Sequence, residues 1–380
     1  MEFAAVTGPN KPLEVKTGPI PEPPANGLRI KTAYAGICHT DLNFIKDEAD
    51  LGDGQKSYRS QNLVKIGQKY NGTVLGHEVA GIVDALGSAL DPSTSPVKVG
   101  DRVLLYPWMG CRNCRDCDKG YNNLCENNMG GSMDLGLGAN SGGYGSHVIV
   151  PDTKFAVKVP DNVSLEAASM LPCSGITAYW AVLKALPFLN QAKEIRGEAK
   201  VLVNGAGGLG LWAISTLAAT FENDPTVKIY ASDIGEDKLQ LAREKGATDT
   251  VLLDRNASNS DKAAVLIKEA KSKFNVVLDF VGAEATVNMA MQVIGKWGAL
   301  AVVGMGGGRL AFPLIPLTYN TLTVYGTRTG PLNVTTQLLD LVSKKGIKTP
   351  SVEYFKLKDV NTALDKLRKG QIMGRAVIKY

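Results

Sequence analysis

Cys38, His39, Thr40 and Asp41 stand side by side in the stretch AGICHTDLNF, in a chain with six cysteines and only three histidines. A thiol and an imidazole can ligate a metal, while a neighbouring hydroxyl and carboxylate can pass and hold protons. Two further positions extend the pattern: His77 in VLGHEVAG and Cys173 in LPCSGITAYWAV. Two thiolates and one imidazole supply the three protein ligands of an open zinc site, with the fourth corner left to water or substrate. Such a site is a Lewis acid. Taken singly, Cys38 or Cys173 reads as a small buried apolar residue, since free cysteine is among the most buried types. Thr40 alone reads as a helix cap. His147, in YGSHVIVP, has no motif around it and is expected to be structural.

The remaining cysteines are Cys111, Cys114, Cys117 and Cys125, in the C-x2-C-x2-C-x7-C run CRNCRDCDKGYNNLC. Four thiolates close a tetrahedron around zinc and leave no corner for water, so this second site is expected to clamp a loop. Disulfides suit an oxidising compartment. An iron–sulfur cluster also takes four thiolates, but the spacing differs from the ferredoxin runs.

A third constellation lies in VLVNGAGGLG, where Gly205, Gly207 and Gly210 stand in G-x-G-x-x-G spacing, with Gly208 and Leu209 between the last two. The run follows an apolar strand and opens a helix, the context that a dinucleotide-binding turn requires. The first glycine permits the tight turn, the second lets backbone approach a pyrophosphate, and the third lets helix pack closely on strand. The helix amino terminus then faces the anion. Asp233, a little over twenty residues past Gly210, closes the next strand, where an acid binds both hydroxyls of the adenosine ribose. Its charge repels a 2′-phosphate, so NAD is expected rather than NADP. A structural glycine turn in another α/β protein is the alternative.

These groups need a scaffold that brings distant segments together. From Met1 to about Pro160 the apolar runs are short, β-branched and broken by Gly and Pro, as in LRIKTAYAGI, HEVAGIVDALG and KVGDRVLLYPW, which reads as a β-rich domain. After Ser164 strands alternate with helical stretches: KVLVNGAGGLGLWAISTLAATF, TVKIYASD, EDKLQLAREKGA, NVVLDFVG and GALAVVGMGG. That βαβ series predicts a doubly wound parallel sheet. The last fifty residues return to a mixed pattern, with a helix expected near Asn361 to Lys369 and a closing strand RAVIKY, and this tail is expected to fold back on the first domain. The expected division is therefore 1–165, 166–328 and 329–380.

With 380 residues, 44% hydrophobic and 21% charged, the chain has the profile of a two-domain enzyme with a ligand cleft between its cores. The net charge of +5 is small and Lys and Arg alternate with Asp and Glu, whereas a nucleic-acid surface would cluster them. No run reaches the ~18 apolar residues of a membrane helix and the start lacks a secretory pattern, so neither nucleic acid nor membrane is an expected partner and the cytoplasm is the expected location.

The motifs together resemble the zinc-dependent medium-chain alcohol dehydrogenases. The similarity runs in order through GICHTD, GHE, the four-cysteine loop, CSGITAY, GAGGLG and SDIGEDKL, over essentially the whole chain. It implies a β-rich GroES-like catalytic domain joined to a Rossmann domain, two zinc ions per chain, NAD(H), and a small alcohol, aldehyde or ketone as substrate. It makes Cys38, His77 and Cys173 the catalytic zinc ligands and Cys111, Cys114, Cys117 and Cys125 the structural ones. Thr40 matches the hydroxyl that hands on the alcohol proton, Asp41 the carboxylate that orients His77, and Glu78 a glutamate that can approach the metal. His39 and Arg375 match positions on the pyrophosphate, Thr177 one beside the nicotinamide, and Lys238 lies in the segment following the ribose-binding acid. A homodimer or homotetramer is implied, meeting through the sheet edge near LTVYGTRTG.

Two departures stand out. Many relatives carry a histidine three residues after the relay hydroxyl, where this chain has Asn43, which cannot titrate. Protons then leave through water or the acid–base step is modified, and some relatives with altered relays reduce conjugated carbon–carbon double bonds. The connection 47–71 is also long, and reads equally as a wall of the substrate channel or as a polar surface loop. Polyol dehydrogenases resemble a pattern in which Glu78 replaces a cysteine ligand, against which Cys173 argues. A zinc-stapled binding protein without turnover is a reading from a different class; the scattered charge and the full ligand set speak against it.

Overall fold

The computed structural model describes residues 1–65, 68–128, 134–137 and 141–380. Two sheets carry the molecule. The first has seven strands: Val352–Phe355, Arg375–Lys379, Leu28–Ile37, Glu78–Leu86, Arg102–Leu105 and Ala156–Lys158 in spatial order, with His147–Val150 also pairing onto Leu28–Ile37. Pairing is antiparallel except between the two C-terminal strands. Leu28–Ile37 is central because its apolar residues Leu28, Ile30, Ala35 and Ile37 are buried, and its pairing sets Gly36 opposite Glu78.

The second sheet has six parallel strands in the spatial order Asp249–Leu252, Val227–Asp233, Ala199–Asn204, Phe274–Asp279, Ile294–Val302 and Thr323–Gly326. Strands such as AKVLVN and FNVVLD are buried almost throughout on both faces because helices cover both sides. Chain order reverses at Ala199–Asn204, which lies between Val227–Asp233 and Phe274–Asp279, and the carboxyl ends of strands at such a reversal border the ligand crevice of this sheet type.

The tail belongs to the first sheet. Arg375–Lys379 pairs antiparallel with Leu28–Ile37, and helix Val360–Arg368 packs Val360, Ala363, Leu364 and Leu367 into the same core. The connection 47–71 is a hairpin, Glu48–Gly52 with Gln55–Tyr58, followed by helix Arg59–Lys65; residues 66–67 lie outside the described residues. The hairpin tip reaches the other sheet's loops, where Asp53 Oδ1 accepts from Arg309 Nη1 at 2.5 Å. Among the described residues no helix is long and apolar enough to cross a membrane.

Candidate active site

The run CHTD is a helix start. Cys38 is the extended N-cap of helix His39–Lys46, and its N–H donates to Asp41 Oδ2 at 2.9 Å, the reciprocal bond of a capping box. The cap therefore fixes the carboxylate as well as the helix. Tyr144 Oη donates to the same Oδ2 at 2.8 Å, while Oδ1 faces His77 Nδ1 at 3.4 Å. That pair is at ion-pair distance, and among the described residues neither of these two buried atoms has another polar partner. Gly76 must be glycine: its φ is +91° and a Cβ there would meet the Tyr144 ring and main chain at 2.6–2.9 Å.

Cys173 comes from the opposite side. Helix Leu165–Met170 continues through the π turn Leu171–Gly175 into helix Ile176–Arg196, and Pro172, which has no N–H, sits at that turn. The turn points Cys173 Sγ to 4.0 Å from Cys38 Sγ and 3.3 Å from His77 Nε2. Ligand atoms of Cys38, His77, Glu78 and Cys173 all lie within 4.8 Å of one another, and all four residues are buried. Zinc–sulfur bonds of about 2.3 Å at tetrahedral angles hold two sulfurs about 3.8 Å apart, so the donors fit the ion. The orphaned His77 Nδ1 and Asp41 Oδ1 fit as well, because an Nδ1–H turned to the carboxylate frees the Nε2 lone pair for a metal.

Electrostatics follow from this crowding. A hydrogen bond from the Cys173 thiol holds Cys38 well below the usual thiol pKa against the effect of burial, and Cys173 is pushed well up by the same bond and by burial. Burial disfavours charge on His77, but the Asp41 carboxylate and the Cys38 sulfur together outweigh it and the imidazole pKa stands well above the ordinary value. Sulfurs sharing charge beside an imidazole favour a divalent cation, which takes both as thiolates. Burial pushes the Glu78 carboxyl up while Arg375, which donates to Glu78 Oε2, pulls it down; Arg375 stays charged, raised by Glu78 and the two sulfurs against burial. Glu78 Oε1 accepts from Ser174 N at 3.3 Å, so it is tied beside the cluster.

Thr40 sits in the first turn of its helix with Oγ1 3.6 Å from Cys38 Sγ, at the edge of the cluster. Asn43 is exposed. Trp108 closes another side: its indole N–H donates to Pro172 O at 2.9 Å and its ring lies 5.5 Å from the His77 ring.

The glycine turn opens the crevice of the parallel sheet next to this cluster. Gly205 has φ +92°, and helix Gly208–Thr220 starts after Gly207, where a Cβ would meet nothing within 4 Å. At Gly210 a Cβ would fall 1.9 Å from Gly205 O, so only glycine lets the helix lie this close to the strand. Asp233 Oδ2 accepts from Ala206 N at 2.8 Å and Oδ1 from Ile234 N and Gly235 N at 2.8 and 3.1 Å, with Lys238 Nζ 3.8 Å away. Arg375 lies against Gly208, where an added Cβ would meet its Cδ at 2.7 Å. Desolvation by the surrounding protein lowers the His39 pKa, the Cys38 sulfur opposing and Arg375 and Lys238 assisting. Positive charge and free amides thus converge on the turn, as an anion requires. Thr177 is buried one turn beyond Cys173.

The four-cysteine run folds as a lobe around helix Arg115–Asp118 and the turn Asn122–Leu124. Its sulfurs lie within 4.8 Å of one another. Cys125 Sγ accepts from Cys111 N at 3.2 Å, and Cys111 Sγ accepts from Asn127 Nδ2 and Asn113 N, both at 3.4 Å. Those two bonds lower Cys111 to about 6, while burial raises Cys125 to about 12, so near neutral pH without a cation Cys111 is ionised and Cys125 is not.

Comparison with known proteins fits this geometry. Residues 24–161 match the pattern described as the alcohol dehydrogenase GroES-like domain, and residues 208–344 that of the zinc-binding dehydrogenases. The NAD-dependent alcohol dehydrogenase of Sulfolobus acidocaldarius is 31% identical over 97% of this chain and 96% of its own. The chain belongs to the zinc-dependent medium-chain dehydrogenase family. An alcohol dehydrogenase of Geobacillus stearothermophilus is 31% identical over 100% of this chain and 99% of its own. The solved alcohol dehydrogenase of Aeropyrum pernix superposes with a TM-score of 0.82 at 27% identity, over the full length of both chains.

In this dehydrogenase Cys38, Thr40, Asp41, His77, Glu78 and Cys173 come together in one cluster, and His39, Gly205, Gly207, Gly208, Leu209, Gly210, Asp233, Lys238 and Arg375 border the adjoining crevice. His147 lies elsewhere, its Nδ1 3.1 Å from Ser146 Oγ. Tyr144 and Trp108 are site residues that spacing alone does not flag. The signal for Tyr144 is its buried aromatic position three residues before His147 in GGYGSH, but its contact with Asp41 spans 103 positions. Tyr144→Phe keeps the packing and removes one donor from Asp41. Zinc affinity, read by competition with a chelator, is expected to fall about tenfold or more, as for other partners of ligand-orienting carboxylates. Unchanged affinity in the Phe variant would show that the hydroxyl does not steady Asp41.

Proposed function

We propose that this dehydrogenase oxidises an alcohol to an aldehyde or ketone, reversibly, with NAD as hydride acceptor. The observation that carries the reading is the buried convergence of Cys38, His77 and Cys173, with Thr40 at its edge and the glycine turn alongside. When bound, zinc polarises the alcohol oxygen and NAD takes the hydride. The chain's own residues do the rest. Cys38, His77 and Cys173 are the proposed ligands of the catalytic zinc, and Cys111, Cys114, Cys117 and Cys125 those of the structural one. Asp41 holds the His77 ring in the tautomer that leaves Nε2 to the metal. Thr40 accepts the hydroxyl proton and passes it outward. Glu78, tied to Arg375 and Ser174, keeps a carboxylate in reserve beside the ligands. Arg375, His39 and Lys238 with the turn's amides hold the pyrophosphate, Thr177 borders the nicotinamide, and Asp233 takes the adenosine ribose. The Asp233 carboxylate repels a 2′-phosphate, which supports NAD over NADP.

Residues 1–165 with 329–380 are proposed as the catalytic body and 166–328 as the cofactor body, in a cytoplasm whose reducing conditions keep all six cysteines free. A homo-oligomer is proposed through the free edge of strand Thr323–Gly326. Next to it helix Leu314–Tyr319 leaves Leu314, Ile315 and Tyr319 75%, 81% and 76% exposed, an apolar patch that a second copy would cover. Ile315→Asp is expected to shift the sedimenting species to monomer; an unchanged mass would place the interface elsewhere.

Asn43 favours one alternative, a reductase of conjugated carbon–carbon double bonds on the same scaffold. Incubation with NAD and primary, secondary, aromatic and allylic alcohols separates the two. NADH and carbonyl products support the dehydrogenase; no NADH from any alcohol, with saturated carbonyls formed from enals and NADH, overturns it. Asn43→His adds a titrating group three residues after Thr40, and the kcat profile is expected to gain an ionisation at about pH 6.5. A profile identical to wild type would exclude position 43 from the proton path.

A further inference from the structure

Under the glycine turn runs a row of buried polar side chains that neither zinc site uses. Register sets Ser232, Asn204 and Asp279 side by side near the carboxyl ends of three neighbouring strands, and all three are buried. Ser232 Oγ donates to Asn204 Oδ1 at 2.8 Å and Asn204 Nδ2 donates to Asp279 Oδ1 at 3.2 Å, so the row ends on a carboxylate.

Asp279 gathers more than that one donor. Oδ1 also accepts from Val281 N at 3.0 Å and Gly282 N at 3.4 Å, and Oδ2 accepts from Thr286 Oγ1 at 2.8 Å. Its main-chain oxygen takes Val303 N at 2.9 Å and Gly304 N at 3.0 Å, from the loop that follows the next strand. The four side-chain donors are neutral, and burial raises the Asp279 pKa while their bonds oppose it. An ionised carboxylate is acceptor-only and can receive all four, whereas an amide would turn N–H groups toward some of the same donors. The loops joined here fit closely: a Cβ on Gly205 would meet Val281 Cγ2 at 2.8 Å, and one on Gly282 would fall 2.0 Å from Gly304 O.

A doubly wound sheet takes one mononucleotide over each of its halves. With the adenosine ribose at Asp233, on one side of strand Ala199–Asn204, the nicotinamide mononucleotide falls on the other side, over the end of strand Phe274–Asp279. We infer that Asp279 is a positioning residue for the nicotinamide half of the cofactor. Its side chain holds loop 280–283 against the glycine turn and so sets the crevice wall that this half meets. The inference rests on the NAD-dependent reading above, with Asp233 on the adenosine ribose. Asp279 acts through Val281, Gly282 and Asn204 and needs no contact with the cofactor.

The test measures the binding of NADH and of ADP to the zinc-loaded wild type and variants by titration calorimetry. ADP fills the adenosine side alone. In Asp279→Ala the Kd of NADH is expected to rise about tenfold or more, the size of losing hydrogen bonds to a charged acceptor, while that of ADP changes less than about twofold. Asp279→Asn keeps one acceptor oxygen and restores part of the NADH affinity. Thr286→Val removes a single donor at similar volume and gives an independent reading should the Ala variant fail to fold: NADH is expected to weaken about threefold with ADP unchanged. Equal losses for NADH and ADP, or no loss for NADH in any variant, overturn the inference and leave the dehydrogenase reading intact. A wild type that binds no NADH overturns the cofactor reading with it.

Discussion

Cys173→Ser is expected to lower the zinc content from two ions per chain to one and kcat/KM by about three to five orders of magnitude. Serine keeps the volume but is a poor ligand for zinc, and Cys173 is the donor that closes the triangle with Cys38 Sγ at 4.0 Å and His77 Nε2 at 3.3 Å. The substitution leaves the backbone alone, because the π turn Leu171–Gly175 is held by its flanking helices and by the Trp108 bond to Pro172. Circular dichroism should therefore match wild type while NADH formation disappears. Activity near the wild-type level with two zinc ions still bound would exclude Cys173 as a ligand. The effect has a pH counterpart: thiolate ligands must be deprotonated, so zinc retention is expected to weaken as pH falls.

The second large effect belongs to the lobe. Cys117→Ser is expected to remove the other zinc and to lower the midpoint of thermal unfolding by about 10 °C or more, since structural zinc sites contribute folding free energy directly. The lobe is small, with one helical turn at Arg115–Asp118 and another at Asn122–Leu124, so little apolar burial replaces the ion. Its loss also reaches the active site, because Asn123 in the lobe bonds Arg328 through both its main-chain and side-chain groups and Arg328 lies over Trp108. Activity should fall at temperatures well below the new midpoint. A thermal midpoint within a degree or two of wild type would mean that the loop holds its shape without metal.

How much of this was legible in the sequence depended on distance along the chain. The lobe and the glycine turn were readable because their groups sit within one short run, where spacing alone limits geometry. Cys38, His77 and Cys173 are scattered over 135 positions, and only the neighbouring residues GHE and CSGITAY made them a set. The fold class followed from the switch between β-rich and βαβ patterning. What spacing did not reveal is set by sheet register. The bond between Glu78 and Arg375 spans 297 positions and exists because Arg375–Lys379 and Glu78–Leu86 flank the same central strand. Tyr144 on Asp41, Trp108 beside His77 and Arg328 over Trp108 are likewise products of packing between separate elements. The hairpin Glu48–Tyr58 was hidden for another reason: EADLGDGQKSY is mostly polar and its one aliphatic branched side chain, Leu51, is exposed, so it carries no alternation that marks a buried face.

The central claim is that Cys38, His77 and Cys173 hold one zinc ion while the lobe holds another. Elemental analysis of the purified wild type, Cys173→Ser and Cys117→Ser tests it most directly. Two, one and one zinc ions per chain are expected. A single tightly held zinc in the wild type, kept in full by Cys173→Ser, would contradict it.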